Sequence, residues 1–344
     1  MNIALLTLTG PEFRGGVEKF NSYLNSALSK KHSVDIIAFN DFTLSGTEKA
    51  VLKVYEKTPY SGYYKAKIMA KHFSKIQEKY NLIITNDFFG LYIKKPKQIL
   101  VSHGYFGDVF DCMRDRISPW YWLWGQELGR VQKASMKKAD FVVTPCMRNF
   151  RVMKEKKLRV DLVIPHGIDT DFYKPDKNAS KNISSYALPK NFLLFVGGRA
   201  PWKNIGIVEE ISKKNKIAMI SGNGSSPNIS YLNNVPENLM PSFYSASQML
   251  LHPSLHEGFG YVVAESMASG TPALFSRTGF GEELSNELPE LVMENPSDVP
   301  QIRKEIDFIL ENKKSLGKKS REFVIKNFGL KNWEKKWLEL VEKI

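Results

Sequence analysis

The sequence predicts an α/β protein of two doubly wound domains, each a parallel sheet covered by helices on both faces. Three observations predict it. Short apolar runs alternate with longer amphipathic segments along the 344 residues. The alternation pauses at a Gly-, Asp- and Pro-marked stretch, "LVIPHGIDTDFYKP" (162–175), and restarts at "NFLLFVGG" (191–198). The residues richest in chemistry stand just after the apolar runs, and open parallel sheets bind ligands beyond the carboxyl ends of their strands. Apolar residues make up 42% and charged residues 25%, an ordinary globular composition that excludes a disordered chain.

In order, "NIALLTL" (2–8) reads as a buried strand, and residues 15–31 follow as a helix with Val17, Phe20, Tyr23, Leu24, Ala27 and Leu28 at 3–4 spacing. Strands are predicted at 34–39, 82–86, 98–103 and 141–145, with helices over 64–80 and 125–138. In the second half, strands fall at 191–198, 217–224, 249–254 and 271–276, and helices at 204–214, 239–246, 260–269 and 299–327. "NWEKKWLELVEKI" (332–344) is a last amphipathic helix with Trp333, Trp337, Leu340 and Val341 on one face. The domains are therefore expected at 1–165 and 166–328, with the final helix, 329–344, packing back on the first.

The formal charge of +13 is uneven. Residues 1–165 hold 27 Lys+Arg against 15 Asp+Glu, and residues 166–344 hold 22 against 21. The excess points to an anionic partner of the first half (nucleic acid, a phosphorylated substrate or a membrane surface) or to solubility charge. No nucleic-acid-binding motif accompanies it, and we expect no nucleic-acid partner. Cys112 and Cys146 have no metal-ligand spacing, so we expect no zinc site and a reducing compartment. The opening segment lacks the basic region of a signal peptide, and no apolar stretch is long enough to span a bilayer. The reading is a cytoplasmic protein, or one peripheral on the inner face of the membrane.

Four motifs carry the chemistry. In "HEGFGYVVAE" (256–265), Glu257 and Glu265 bracket a Gly-Phe-Gly turn that opens a helix, whose first free N–H groups attract phosphate. The pair is spaced to grip two parts of one extended ligand, whereas two carboxylates flanking one glycosidic bond lie closer together. In "GGRAPWKN" (197–204), Arg199 and Lys203 follow a strand end and can meet a diphosphate, one as a fork and one as a point charge. In "GPEFRGGVEKF" (10–20), Gly15-Gly16 at a strand-to-helix turn admits close approach by a ligand. His103, in "SHG", ends an apolar strand. "DTD" (169–171) lies in a connector, where a structural role is favoured over metal binding.

The order of these motifs, with "HGID", "VGGRAPWKN", "GNG" and "PSLHEGFGYVVAESMASGTPAL", resembles the retaining glycosyltransferases of family 4. Glu257 and Glu265 match that family's E-x7-E pattern, and the resemblance runs from Gly15-Gly16 to the final helix. It implies the GT-B fold, two Rossmann-like domains facing across a cleft, and a nucleotide-diphosphate-sugar donor. By that resemblance Arg199 and Lys203 hold the diphosphate in place of a metal, so no metal or other cofactor is expected, and Gly16 approaches the same phosphates. Glu257 contacts the donor sugar, Gly258, Phe259, Gly260 and Tyr261 line the sugar and phosphate, and Glu265 binds the ribose. Val235 presents its backbone to the base, and His103 touches the sugar. Two segments depart from the family pattern, "TGFGEEL" (278–284) and "SNELPELVMENPSD" (285–298).

The resemblance places the acceptor, a glycan or a lipid-linked one, on the first domain. There Lys67, Lys71, Lys75 and Lys79 recur at i, i+4 on the predicted helix 64–80, and "SPWYWLWG" (118–125) adds three tryptophans. Cationic stripes and tryptophans suit an anionic membrane surface. The competing reading is an accessory protein of the same fold that binds a glycan or partner without catalysis. The full set of His103, Arg199, Lys203, Glu257 and Glu265 argues against it.

Overall fold

The computed structural model describes residues 1–10, 12, 15–56, 58 and 60–344. It divides into two compact units, Met1–Gly167 with Lys331–Ile344, and Ile168–Leu330. The first holds strands β1 (Asn2–Thr7), β2 (Ser33–Ala38), β3 (Leu82–Asn86), β4 (Lys97–Val101), β5 (Phe141–Thr144) and β6 (Leu162–Val163). The second holds β7 (Leu193–Val196), β8 (Ile217–Ile220), β9 (Ile229–Leu232), β10 (Leu250–His252), β11 (Ala273–Ser276) and β12 (Val292–Met293).

Both sheets have six strands, in the orders β2-β1-β3-β4-β5-β6 and β12-β11-β10-β7-β8-β9. Every pairing is parallel. Parallel strands buried on both faces need continuous apolar runs, and β7, β8 and β11 are buried at every position. In each sheet the order reverses beside the first strand, at β1/β3 and at β7/β10. Such switch points open a crevice at the carboxyl ends of the strands.

The final helix, Leu330–Lys343, belongs to the first unit from Lys331 onward. Trp333 and Trp337 pack on Phe20 with ring centroids 5.9 and 5.6 Å apart, and Glu334 and Glu342 pair with Lys30 and Lys31.

Several elements differ from expectation. The helix expected over 64–80 spans Ser61–Phe73. Tyr80 turns back to stack on Phe73 at 5.6 Å, whereas seven helical steps would separate them by roughly 10 Å. The helix expected from 125 begins at Pro119, because Ser118 accepts the Tyr121 N–H as an N-cap. The segment 299–327 is two helices that break at Asn312, whose side chain caps the Phe308 carbonyl. The sequence reading missed the helices Gly46–Tyr55 and Met147–Glu155. The first has a capping box between Ser45 and Glu48.

Candidate active site

In the second unit the switch point lies between β7 and β10, and the two glycine-marked motifs leave these strands. After β7, the turn carrying Gly197 and Gly198 leads to Lys203. After β10, the chain reaches Glu257 through Ser254. The Leu255 N–H donates to the Trp202 carbonyl at 2.7 Å, tying the two loops together. Lys203 Nζ then lies 2.7 Å from Glu257 Oε1, and both side chains are largely buried. His252, the last residue of β10, is fully buried and places Nε2 2.8 Å from the same oxygen. Ser254 Oγ lies 3.1 Å from His252 Nε2. Burial pushes the Glu257 carboxyl up, but the charges of Lys203 and His252 and the hydrogen bonds from both hold it well below the usual carboxylate range. Glu257 is therefore a buried anion with a fixed orientation.

Beyond Glu257 the chain turns through Gly260, whose φ of 105° is open to glycine and strained for other residues. Helix Tyr261–Ala268 begins there. Phe259 is buried against Phe280 and Phe328, at 5.2 and 5.1 Å. The departing segment "TGFGEEL" clasps this turn. Gly279 has a φ of 52°, a Cβ there would collide with the Phe259 carbonyl, and the Phe280 N–H donates to that carbonyl at 3.0 Å.

Glu265 lies one turn into the helix and is 3% exposed. The Tyr244 hydroxyl donates to its Oε2 at 2.7 Å. Val235 is buried past the end of β9, and Gly258 and Tyr261 are half-buried.

Arg199 is placed differently. Its guanidinium donates to Glu209 at 2.8 Å and to the Asn223 carbonyl, and it is partly exposed. An exposed pair of this kind is worth about 0–1 kcal/mol, so leaving Glu209 for a phosphate costs little. Asp169 accepts the N–H groups of Asp171 and Phe172 in a local turn. Among the described residues, no group of three or more His, Cys, Asp or Glu is arranged to hold a metal ion.

In the first unit, Gly15 and Gly16 are exposed at the start of helix Gly16–Leu28. His103 follows β4 and joins a polar chain across the carboxyl ends of the strands. Asn86 Nδ2 donates to the Leu6 carbonyl at 3.2 Å and to Asn21 Oδ1 at 3.0 Å. A carbonyl only accepts, so Asn86 Oδ1 must face His103 Nε2, 2.6 Å away, and Nε2 carries the proton. Nδ1 of the neutral ring then accepts from His166 Nε2 at 3.2 Å. The His103 carbonyl accepts from Asn149, and its backbone N–H donates to Asp87. Each polar group of His103 is thus engaged within its own unit. What it can offer a ligand is its ring edge.

Burial lowers the His103 pKa to about 4 and, with the His103 charge adding to it, holds His166 well below its ordinary value. Burial raises Asp87 to about 7 against hydrogen bonds from Gln132 and His103. The signs oppose each other. A histidine depressed on folding contributes stability above its unfolded pKa, 6.5, and loses it as pH falls through the folded value. A carboxyl raised from 3.8 to about 7 adds stability as pH falls through the same window. Asp87→Asn removes the compensating group and leaves the two histidines. We expect the melting temperature of this variant to fall more steeply than that of wild type between pH 7 and 4. Parallel pH profiles by differential scanning calorimetry would contradict the assignment.

The Lys203–Glu257 centre lies at the switch-point crevice of the second sheet. Residues 173–327 match the family model described as "Glycosyl transferases group 1". That segment is a glycosyltransferase group 1 domain, and the chain has the GT-B fold. Over 79 residues the chain is 34% identical to the O-antigen chain mannosyltransferase B of Escherichia coli, covering 22% of this chain and 19% of that one. Over 162 residues it is 30% identical to an uncharacterised glycosyltransferase of Methanocaldococcus jannaschii, covering 42% and 45%. The aligned stretches span less than half the length of these relatives. Two solved structures are similar over nearly their full length. Sucrose-phosphate synthase from Thermosynechococcus elongatus has a TM-score of 0.80 at 19% identity, with 99% and 98% of the chains covered. Anabaena HepE, solved in complex with UDP-glucose, has a TM-score of 0.75 at 16% identity and covers 100% of both chains. The sequence matches support a glycosyltransferase.

Proposed function

We propose that this chain is a retaining glycosyltransferase that moves a sugar from a nucleotide-diphosphate-sugar to a glycan or lipid-linked acceptor without a metal. One observation carries the reading. Lys203, Glu257 and His252 converge at the switch point of the second sheet, inside the segment that matches the transferase model. Lys203 supplies positive charge where the departing diphosphate develops negative charge, and Arg199 joins it by leaving its exposed partner. Glu257, oriented by His252 and Lys203, accepts hydrogen bonds from the donor sugar. Phosphate lies at the N–H groups that open helix Tyr261–Ala268, with Gly258, Phe259, Gly260 and Tyr261 lining it. Glu265, steadied by Tyr244, takes the ribose, and the Val235 backbone takes the base. By the family resemblance, the Gly15-Gly16 turn is assigned to phosphate and the His103 ring edge to the donor sugar. Attack on the same face as the leaving group, with the departing phosphate taking the acceptor proton, gives retention.

The complex between HepE and UDP-glucose supports a nucleotide-sugar donor for this fold. Cytoplasmic location and peripheral attachment to an anionic membrane face belong to the same reading. No helix among the described residues is long and apolar enough to cross a membrane.

A panel of nucleotide-sugars scored by thermal shift tests the donor. A ligand at about 100 times its Kd stabilises by about 2.7 kcal/mol, a readily measured rise in melting temperature. The stabilising donor should be consumed equally in EDTA and in magnesium. Loss of turnover in EDTA, restored by magnesium or manganese, would remove metal independence from the proposal.

A further inference from the structure

The four-lysine stripe does not survive folding as one helical face. Lys71 Nζ pairs with Glu48 at 2.7 Å and Lys79 Nζ with Asp35 at 2.7 Å. Lys75 and Lys79 lie beyond the helix end at Phe73. Another surface of the same unit gathers exposed apolar side chains from three helices. Val54 and Tyr55 end helix Gly46–Tyr55, Tyr60 precedes helix Ser61–Phe73, and Trp120, Tyr121 and Leu123 lie in the first two turns of helix Pro119–Lys138. Val54 is 66% exposed, Trp120 59% and Tyr60 54%.

Contacts join these segments. The Tyr121 ring stacks on Trp124 at 5.7 Å. The Trp124 Nε1–H donates to the Thr58 carbonyl at 3.1 Å, and the Thr58 N–H donates to the Tyr55 carbonyl at 2.8 Å. Cations stand at the margin of this surface. Arg114 lies over the Trp122 ring at 4.9 Å, and Arg116, Lys53 and Lys67 are exposed. Glu56 and Asp115 are exposed beside them, while Asp111 is paired with Lys156.

We propose that this surface docks the protein on an anionic phospholipid bilayer. Tyr and Trp rings sit at the headgroup level, Val54 and Leu123 dip below them, and the marginal cations meet lipid phosphates. The inference rests on the peripheral attachment read above and gives it a place. Charge selects the occupant. The first unit carries 31 Lys+Arg against 18 Asp+Glu, a net +13, whereas the second carries 18 of each. An exposed aromatic surface on the strongly cationic unit matches the two attractions that hold interfacial proteins, apolar burial and anionic headgroups.

Vesicle co-sedimentation tests it, with phosphatidylcholine alone and with a three-to-one phosphatidylcholine–phosphatidylglycerol mixture. Three proteins are compared: wild type, the Tyr60→Ser/Trp120→Ser/Leu123→Ser variant, and a Lys71→Gln/Lys75→Gln/Lys79→Gln variant. Wild type should sediment with the anionic mixture. The aromatic variant should lose about tenfold or more in apparent affinity, and the lysine variant about twofold or less. The reverse ranking, or no sedimentation of wild type at low salt, overturns the proposal. A wild-type dimer that the aromatic variant makes monomeric would also overturn it and assign the face to a second copy. Thermal shift with the nucleotide-sugar panel on the same three proteins separates the two readings. Stabilisation without sedimentation rejects the docking surface and keeps the transferase. Sedimentation without stabilisation keeps the surface and rejects the donor site.

Discussion

Lys203→Ala should lower turnover at saturating donor by about 100-fold or more, the loss typical when one electrostatic stabiliser of a developing anion is removed. The geometry gives a second consequence. Lys203 Nζ is 2.7 Å from Glu257 Oε1 in a largely buried pair, so the variant leaves the carboxylate with His252 as its nearby basic partner. Breaking a buried pair from one side costs about 3–5 kcal/mol. Glu257 titrates below its unfolded value of 4.5, so its contribution is present above that pH and is lost as pH falls through the depressed folded value. Without Lys203 the folded pKa rises, and the acid limb of the stability profile should move to higher pH. Glu257→Gln tests the same pair from the other side. It should lose turnover similarly and leave no carboxylate to shift, so its acid limb should not move upward. Steady-state kinetics with the donor found by thermal shift, together with melting curves across pH, read both effects. Full activity in both variants would remove this centre from the mechanism. Lys203→Arg is a sharper control, because a planar fork does not replace a compact ammonium that meets one oxygen.

This centre was half legible in the sequence. Lys203 and Glu257 each follow a strand through a glycine-marked turn, and that position marks a ligand-facing residue in a parallel sheet. That they meet was not legible, because the contact joins loops 54 residues apart. His252 ends a fully buried strand and was not singled out in the sequence. Tyr244 read as part of an amphipathic helix, and its bond to Glu265 depends on how that helix packs. Arg199 shows the opposite failure. It follows β7 through a glycine turn as expected, yet a carboxylate ten residues along the chain holds it in this structure.

The polar chain of the first unit was less legible still. Thr7, Asn21, Asn86, His103 and His166 are scattered through the sequence, and of these only His103 was singled out, although Asn21 also donates to Thr7. Parallel pairing brings the ends of β1, β3 and β4 side by side, and the network follows from that register. The lysine stripe failed because i, i+4 spacing persists in sequence after the helix has stopped. Stacking of Tyr80 on Phe73 decided the backbone there, a tertiary contact overriding local periodicity.

The largest stability effect should come from Trp337→Ala. Trp337 is fully buried in the final helix, against Phe20 at 5.6 Å and Trp333 at 6.3 Å. Removing a buried indole costs about 3–5 kcal/mol, a large fraction of the roughly 5–15 kcal/mol that stabilises a domain. The position magnifies the consequence. Phe20 also packs edge-on against His103 at 5.0 Å and against His166 at 4.9 Å, so the cavity opens beneath the polar chain of the first unit. Helix Leu330–Lys343 also buries Leu340 and Val341, and its exposed ion pairs such as Lys31–Glu342 add at most about 1 kcal/mol each. Trp337, the largest fully buried side chain, therefore makes the largest single contribution to the docking of the helix. Amide hydrogen exchange should show β1 and β4 losing protection by about 3 kcal/mol or more in Trp337→Ala, while β7 and β10 of the second unit keep theirs. Lys31→Gln should change neither set measurably. A loss below about 1 kcal/mol in the first unit would mean that the helix is held by something other than this contact. An equal loss in both units would show that they unfold together, with Trp337 stabilising the whole chain.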